Sequence, residues 1–181
     1  MPNWCANVVK ISHNDSVMMD RMIDSFQKGK LLQEFIPCPK SLLKTVAGKL
    51  SDKRKQRRLE RTEKRNLNRY GYKNWYNWCN ANWGTKWDVE GHIEDNGDED
   101  ITIVFDSAWS PPLEAYDTLR DLGFDIKAYY YEPGMAFAGI WEDGCDSSYE
   151  VSSSAQASAV LPPELDEMFA ISETLSEYET E

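Results

Sequence analysis

The stretch NWYNWCNANWGTKWD, residues 74–88, sets Trp75, Trp78, Trp83 and Trp87 among four asparagines, with Lys86 beside the last ring. Indole rings offer flat faces on which a base or a cation stacks, and the amides and Lys86 add hydrogen bonds and a positive charge. That combination suits a nucleotide, another small ligand or a nucleic-acid strand, with Trp109 as a further wall. The same residue types also serve a structural end, in which the rings seal a long loop against a sheet and the asparagines satisfy turn backbone. No glycine-rich phosphate cradle accompanies the stretch, which favours the structural role.

A second constellation is cationic. Residues 49–73, KLSDKRKQRRLERTEKRNLNRYGYK, carry Arg54, Arg57, Arg58, Arg61 and Arg65 among good helix formers that stop at Gly71. Their composition is that of a helix contacting nucleic acid, where each neutralised phosphate releases a counterion. The competing reading is a solvated helix whose charge balances an acidic remainder. Residues 1–48 carry a formal charge of +2, residues 49–87 of +9 and residues 88–181 of -22, within a total of -11. The acid-rich part either imitates a nucleic-acid backbone for a basic groove on another protein or simply confers solubility.

Catalytic chemistry is poorly supplied. His13 and His92, the only histidines, have neither the spacing of a metal pair nor a nucleophile motif. Asp88, Asp106 and Glu132 fall at expected strand ends, where acid–base groups can cluster, but a chain with 31 acidic residues places some there by number alone. A metal-dependent hydrolase using Asp88 and Asp106 is the weakest of the readings. Cys5, Cys38, Cys79 and Cys145 form no CxxC pair and read as reduced, mostly buried thiols. Neither a metal site nor a cofactor is expected.

These groups need a scaffold, and 181 residues suffice for one good core with appendages. No apolar run is long enough to span a membrane and the N-terminus has no signal-peptide pattern, so a cytoplasmic protein is expected. NWCANVVKI alternates as a strand. Residues 14–29 form an amphipathic helix capped by Asn14 or Asp15 and stopped at Gly29, and the proline-broken LLQEFIPCPKSLL is an irregular connection. Asn96-Gly97 marks a type I′ hairpin turn. SPPLEAYDTLRDLG is a second helix with Ser110 as N-cap, and residues 124–151 form three strands turning at Pro133-Gly134 and Asp143-Gly144. This order predicts an α+β fold, a ferredoxin-like split βαβ sandwich with an antiparallel sheet extension, over residues 1–151. Residues 44–73 are an inserted basic helical arm, 152–163 a linker and 164–181 an acidic C-terminal helix with a narrow apolar edge. The acidic helix and the basic arm also allow head-to-tail association between copies.

The blocks MPNWCANVVKI, NWYNWCNANWGTKWD, FDSAWSPP and YYYEPGMAFAGIW, in that order, resemble the YubB-type ferredoxin-like family of phages, prophages and conjugative plasmids. The resemblance covers roughly residues 1–145 and excludes both the arm and the terminal helix. It implies a ferredoxin-like fold without an iron–sulfur cluster and a gene carried by a mobile element. It implies no particular activity, and fold alone does not fix one. The expectation built on it is a non-enzymatic accessory protein that binds and inhibits a host protein, a bacterial defence factor being the leading class. The alternative is a nucleotide, small-ligand or nucleic-acid binder using the tryptophan loop and the arm.

Overall fold

The structure is a computed structural model that describes residues 2–97 and 100–180. Along the chain its elements are β1 (Trp4–Ser12), α1 (Ser16–Gln27), α2 (Leu31–Phe35), α3 (Lys40–Leu43), α4 (Lys53–Tyr70), α5 (Trp75–Asn82), β2 (Glu90–Asn96), β3 (Asp100–Ala108), α6 (Leu113–Asp121), β4 (Asp125–Glu132), β5 (Phe137–Glu142), β6 (Cys145–Glu150), α7 (Ser154–Val160), α8 (Pro163–Phe169) and α9 (Ile171–Thr180). The strands form one sheet in the order β2-β3-β1-β4-β5-β6, every neighbouring pair antiparallel. The first four strands with α1 and α6 are a ferredoxin-like split βαβ sandwich, and β5 and β6 extend it.

The alternation of β1 puts different side chains on the two faces, and both faces are covered. Val9 and Ile11 join Met22, Phe26, Ile103, Phe105, Leu119, Phe124 and Trp141 in a core under α1 and α6, completed by residues of α2, α3 and α5. Asn7 lies fully buried on this side. Its amide donates to Cys5 O at 2.7 Å and Ser107 Oγ at 2.9 Å, and its Oδ1 accepts from Tyr116 Oη at 3.4 Å, which satisfies the group and ties β1, β3 and α6 together. On the other face Val8, Tyr129 and Ala138 pack against Ala157, Leu165 and Ile171.

That second layer departs from the sequence reading. The expected linker holds α7, whose Ser153 caps its N-terminus and whose Ala157 is buried. The expected single acidic helix is two, α8 and α9, broken at Ala170 in a left-handed conformation (φ 48°) so that both Leu165 and Ile171 reach the sheet. Short helices α2 and α3 replace the irregular connection. Ser110 does not cap α6; Pro112 holds that position, and the Ser110 hydroxyl donates to Gly84 O at 2.6 Å. Asn96 belongs to β2 and pairs with Ile101, so it is not a turn residue. A bulge at Glu94 shifts the ladder between Ile93 and Asp95, and the reversal falls after Asn96 at a loop whose residues 98 and 99 lie outside the described residues. Among the described residues no helix is long and apolar enough to cross a membrane.

Candidate functional site

The tryptophan loop is built from its asparagines outward. Asn74 caps α5 by accepting from Asn77 N at 3.0 Å, while the amides of Asn80 and Asn82 donate to Tyr76 O and Trp78 O. Trp83 ends the helix, its backbone N–H bonded to Cys79 O at 2.7 Å and its indole N–H to Ile36 O at 2.9 Å. Trp78 packs edge to face on Trp83, with ring centroids 5.7 Å apart at 85°, and both rings are in the core. Gly84 follows at φ 79°, where a β-carbon would stand 2.9 Å from Leu113 N and also meet the Glu114 carboxylate, so only glycine lets the chain pass beneath α6. Thr85, fully buried, then clips the loop to Ala108 through its hydroxyl.

Beyond that clip Trp87 turns outward and is 40% exposed. Trp75, Trp83, Lys86 and Trp87 line one cavity of about 370 Å³, together with Lys30, Gln33, Leu43, Cys79 and Asp88. Lys86 Nζ stands 4.1 Å from the centroid of the Trp87 ring. The structure thus gathers four of the six residues expected at a ligand site. Trp78 is behind them in the core, and Trp109, held at φ 75° after β3, lines neither this cavity nor the next. The next cavity, of about 300 Å³, lies against Trp4, Trp87, Asp88, Glu90, Asp106 and Ala108. Trp4 pairs with Ala108 in the sheet register, which brings it 6.1 Å from Trp87. Sequence reasoning missed this wall, because strand alternation shows which side Trp4 faces but not what arrives beside it.

The carboxylates considered for catalysis have structural duties or stand alone. Asp88 accepts from Leu32 N at 2.8 Å, Gln33 N at 2.9 Å and its neighbour Val89 N, and so caps α2. Burial pushes its pKa up while those N–H groups pull it down. Glu132 is buried and accepts from Gly134 N and Met135 N, fixing the turn after β4. Asp106 is exposed on β3. His13 accepts from Asp15 N at 2.8 Å and packs on Phe124, while His92 is exposed in β2. Among the described residues no group of three or more His, Cys, Asp or Glu could hold a metal ion. Cys5, Cys38 and Cys79 are buried and Cys145 is exposed; burial pushes the Cys5 thiol up to about 12 and raises Cys38 and Cys79 as well.

In the basic arm expected over residues 44–73, the helix is α4, Lys53–Tyr70. Asp52 caps α4 through Arg54 N and Lys55 N, both at 2.8 Å, and Gly71 ends it in the left-handed conformation. Leu59 and Asn66 are its buried positions, and the Asn66 amide reaches Ser41 O and Lys73 O. Its basic side chains face solvent: Arg54, Arg57, Arg58, Arg61 and Arg65 are exposed, as are Lys53, Lys55, Lys64 and Arg69. Among the described residues, every ion pair involves Arg21, Lys28, Arg120 or Lys127, so none of these nine is neutralised by a carboxylate. Arg58, Arg61, Thr62, Lys64, Arg65 and Asn68 border an open groove along the helix.

No family model matches the chain, and no curated protein matches it. Among solved structures, the chain is similar to the crystal structure of protein api92 from Yersinia pseudotuberculosis, of the DUF1281 family, with 13% identity over 84% of this chain and 99% of that one and a TM-score of 0.43.

Proposed function

We propose that this is a non-enzymatic binding protein that works in the bacterial cytoplasm by occupying a host macromolecule through α4. The observation that supports the reading is the solvent face of that helix, where nine basic side chains stand without a carboxylate partner among the described residues. Internal charge balance needs the acidic groups to approach the arm, yet the acidic helices α8 and α9 pack on the other face of the sheet. A field left open in this way draws an anionic surface from solution. The resemblance of the sequence blocks to a mobile-element family favours a host protein as the occupant, and a defence factor as its class. Capture from bacterial lysate tests this: a host protein retained by the wild type after nuclease treatment, and lost when Arg54, Arg57, Arg58, Arg61 and Arg65 are changed to Gln, is the expected result. Retention of nothing by the wild type refutes it.

A second reading has its own observation. The cavity of Trp75, Trp83, Lys86 and Trp87 combines aromatic walls with the cations Lys30 and Lys86, which suits a base with its phosphate or another planar anion. Mononucleotides that quench tryptophan emission in the wild type but not in Trp87→Ala would favour this ligand. Absence of quenching at millimolar nucleotide removes it.

A further inference from the structure

On the second face of the sheet the helical layer covers β1, β4 and β5 but leaves the β2 end open. Glu90 and His92 are exposed there, and Trp4 is 48% exposed although it begins the central strand. The cavity at this end has Trp4, Trp87 and Ala108 as its apolar walls and Asp88, Glu90 and Asp106 as its polar ones. The two indole planes are inclined at 38°, forming an open angle rather than a closed stack.

We propose that this cavity binds an organic cation of the guanidinium or alkylammonium class, held by the faces of Trp4 and Trp87 and the carboxylates of Glu90 and Asp106. Its charge has one sign, with three carboxylates and no base among the lining residues. Asp88 is occupied by the backbone of α2, but Glu90 and Asp106 have no basic side chain within 4.0 Å among the described residues. They are also directly opposite each other in the β2–β3 register, an arrangement that costs stability unless a cation sits between them. Indole is the strongest aromatic partner for a cation, and the Trp87 ring already receives one from Lys86, which lines the neighbouring cavity and not this one. A small hard metal ion fits poorly, since two of the walls are rings without oxygen donors. The site is independent of α4 and takes ligands of the opposite charge.

Titration of the isotopically labelled full chain, followed by the indole N–H resonances of Trp4 and Trp87, tests the site with tetramethylammonium, argininamide, a short arginine-containing peptide and neopentyl alcohol as the neutral isostere. Saturable shifts with the cations and none with the alcohol are expected. Trp4→Ala, followed through Trp87, should weaken cation binding roughly 5- to 30-fold, and Trp4→Phe should retain most of it. The double variant Glu90→Gln/Asp106→Asn should lose binding to a similar degree with its spectrum otherwise unchanged. Tighter binding of the peptide than of argininamide assigns the site to a side chain of a partner protein, and equal binding assigns it to a free small cation. Either supports the proposal. No saturable shift with any cation, equal binding of the alcohol, or unchanged affinity in both Trp4→Ala and the double variant overturns it.

Discussion

Trp83 and Trp87 are four residues apart and do different jobs. Trp83 is 4% exposed, packed against Trp78 and hydrogen-bonded to Ile36 O, so Trp83→Ala should cost about 3–5 kcal/mol in urea unfolding. Trp87, 40% exposed, should cost under about 1 kcal/mol when changed to Ala and reveal itself in ligand titrations instead. The clustering was legible in the sequence, as was the use of asparagines to satisfy the loop. Which ring goes inward was not, because that depends on Gly84 turning the chain beneath α6, a contact between residues remote in sequence. Asp88 shows the same limit. Its position at a strand end suggested acid–base chemistry, whereas its partners are the N–H groups of α2, visible only after folding. Burial holds its carboxyl above the ordinary 3.8, so it contributes most stability below that unfolded value and loses the contribution as pH rises through the folded one. Wild type should therefore lose stability relative to Asp88→Asn as pH climbs from about 3.8 across the mildly acidic range. Denaturant melts of the two proteins at several pH values check it, and a difference that grows in favour of wild type with rising pH contradicts it.

At the scale of elements, local signals succeeded where the chain decides its own conformation. Alternation located β1, the Asp15 cap and Gly29 bounded α1, and Gly71 ended α4. They failed at α7, where Ser and Ala suggest a linker, and they missed the break between α8 and α9 in what reads as one acidic helix; only the open face of the sheet explains both. Leu165 is the anchor, fully buried under α8, and Glu164 beside it receives the Tyr129 hydroxyl at 3.1 Å and the Lys127 ammonium at 3.3 Å. Leu165→Ala should destabilise by about 2–5 kcal/mol, read by thermal or urea unfolding. Glu179 closes the same layer by accepting from Ser154 N at 2.8 Å and Ser154 Oγ at 2.6 Å, bonds that hold its carboxyl below the ordinary 4.5. The sign is opposite to that of Asp88. The clip is in force above 4.5 and is lost as pH falls through the lowered value, so the protection of amides at the start of α7, taken relative to their intrinsic exchange rate at each pH, should fall on acidification in wild type but not in Glu179→Gln.

Across the whole molecule the charges are sorted by layer. α4, with nine basic and two acidic residues, stands with the helices over the first face, while α8 and α9, with six acidic and no basic residues, cover the second. An anionic partner approaching α4 therefore has the sheet between itself and the acidic helices, and at about 8 Å the Debye length in physiological salt weakens repulsion across that thickness. Salt dependence then discriminates between partners. A duplex whose phosphates met all five arginines would release a counterion at each, giving a slope of log K against log salt of roughly -4.5. A folded acidic protein carries no such condensed ion atmosphere, so its slope should be shallower. In either case the change of Arg54, Arg57, Arg58, Arg61 and Arg65 to Gln should flatten the slope while leaving the melting temperature within a few degrees, because none of the five is buried or ion-paired among the described residues. A slope unaltered by those changes would move the contact away from α4, whatever the partner.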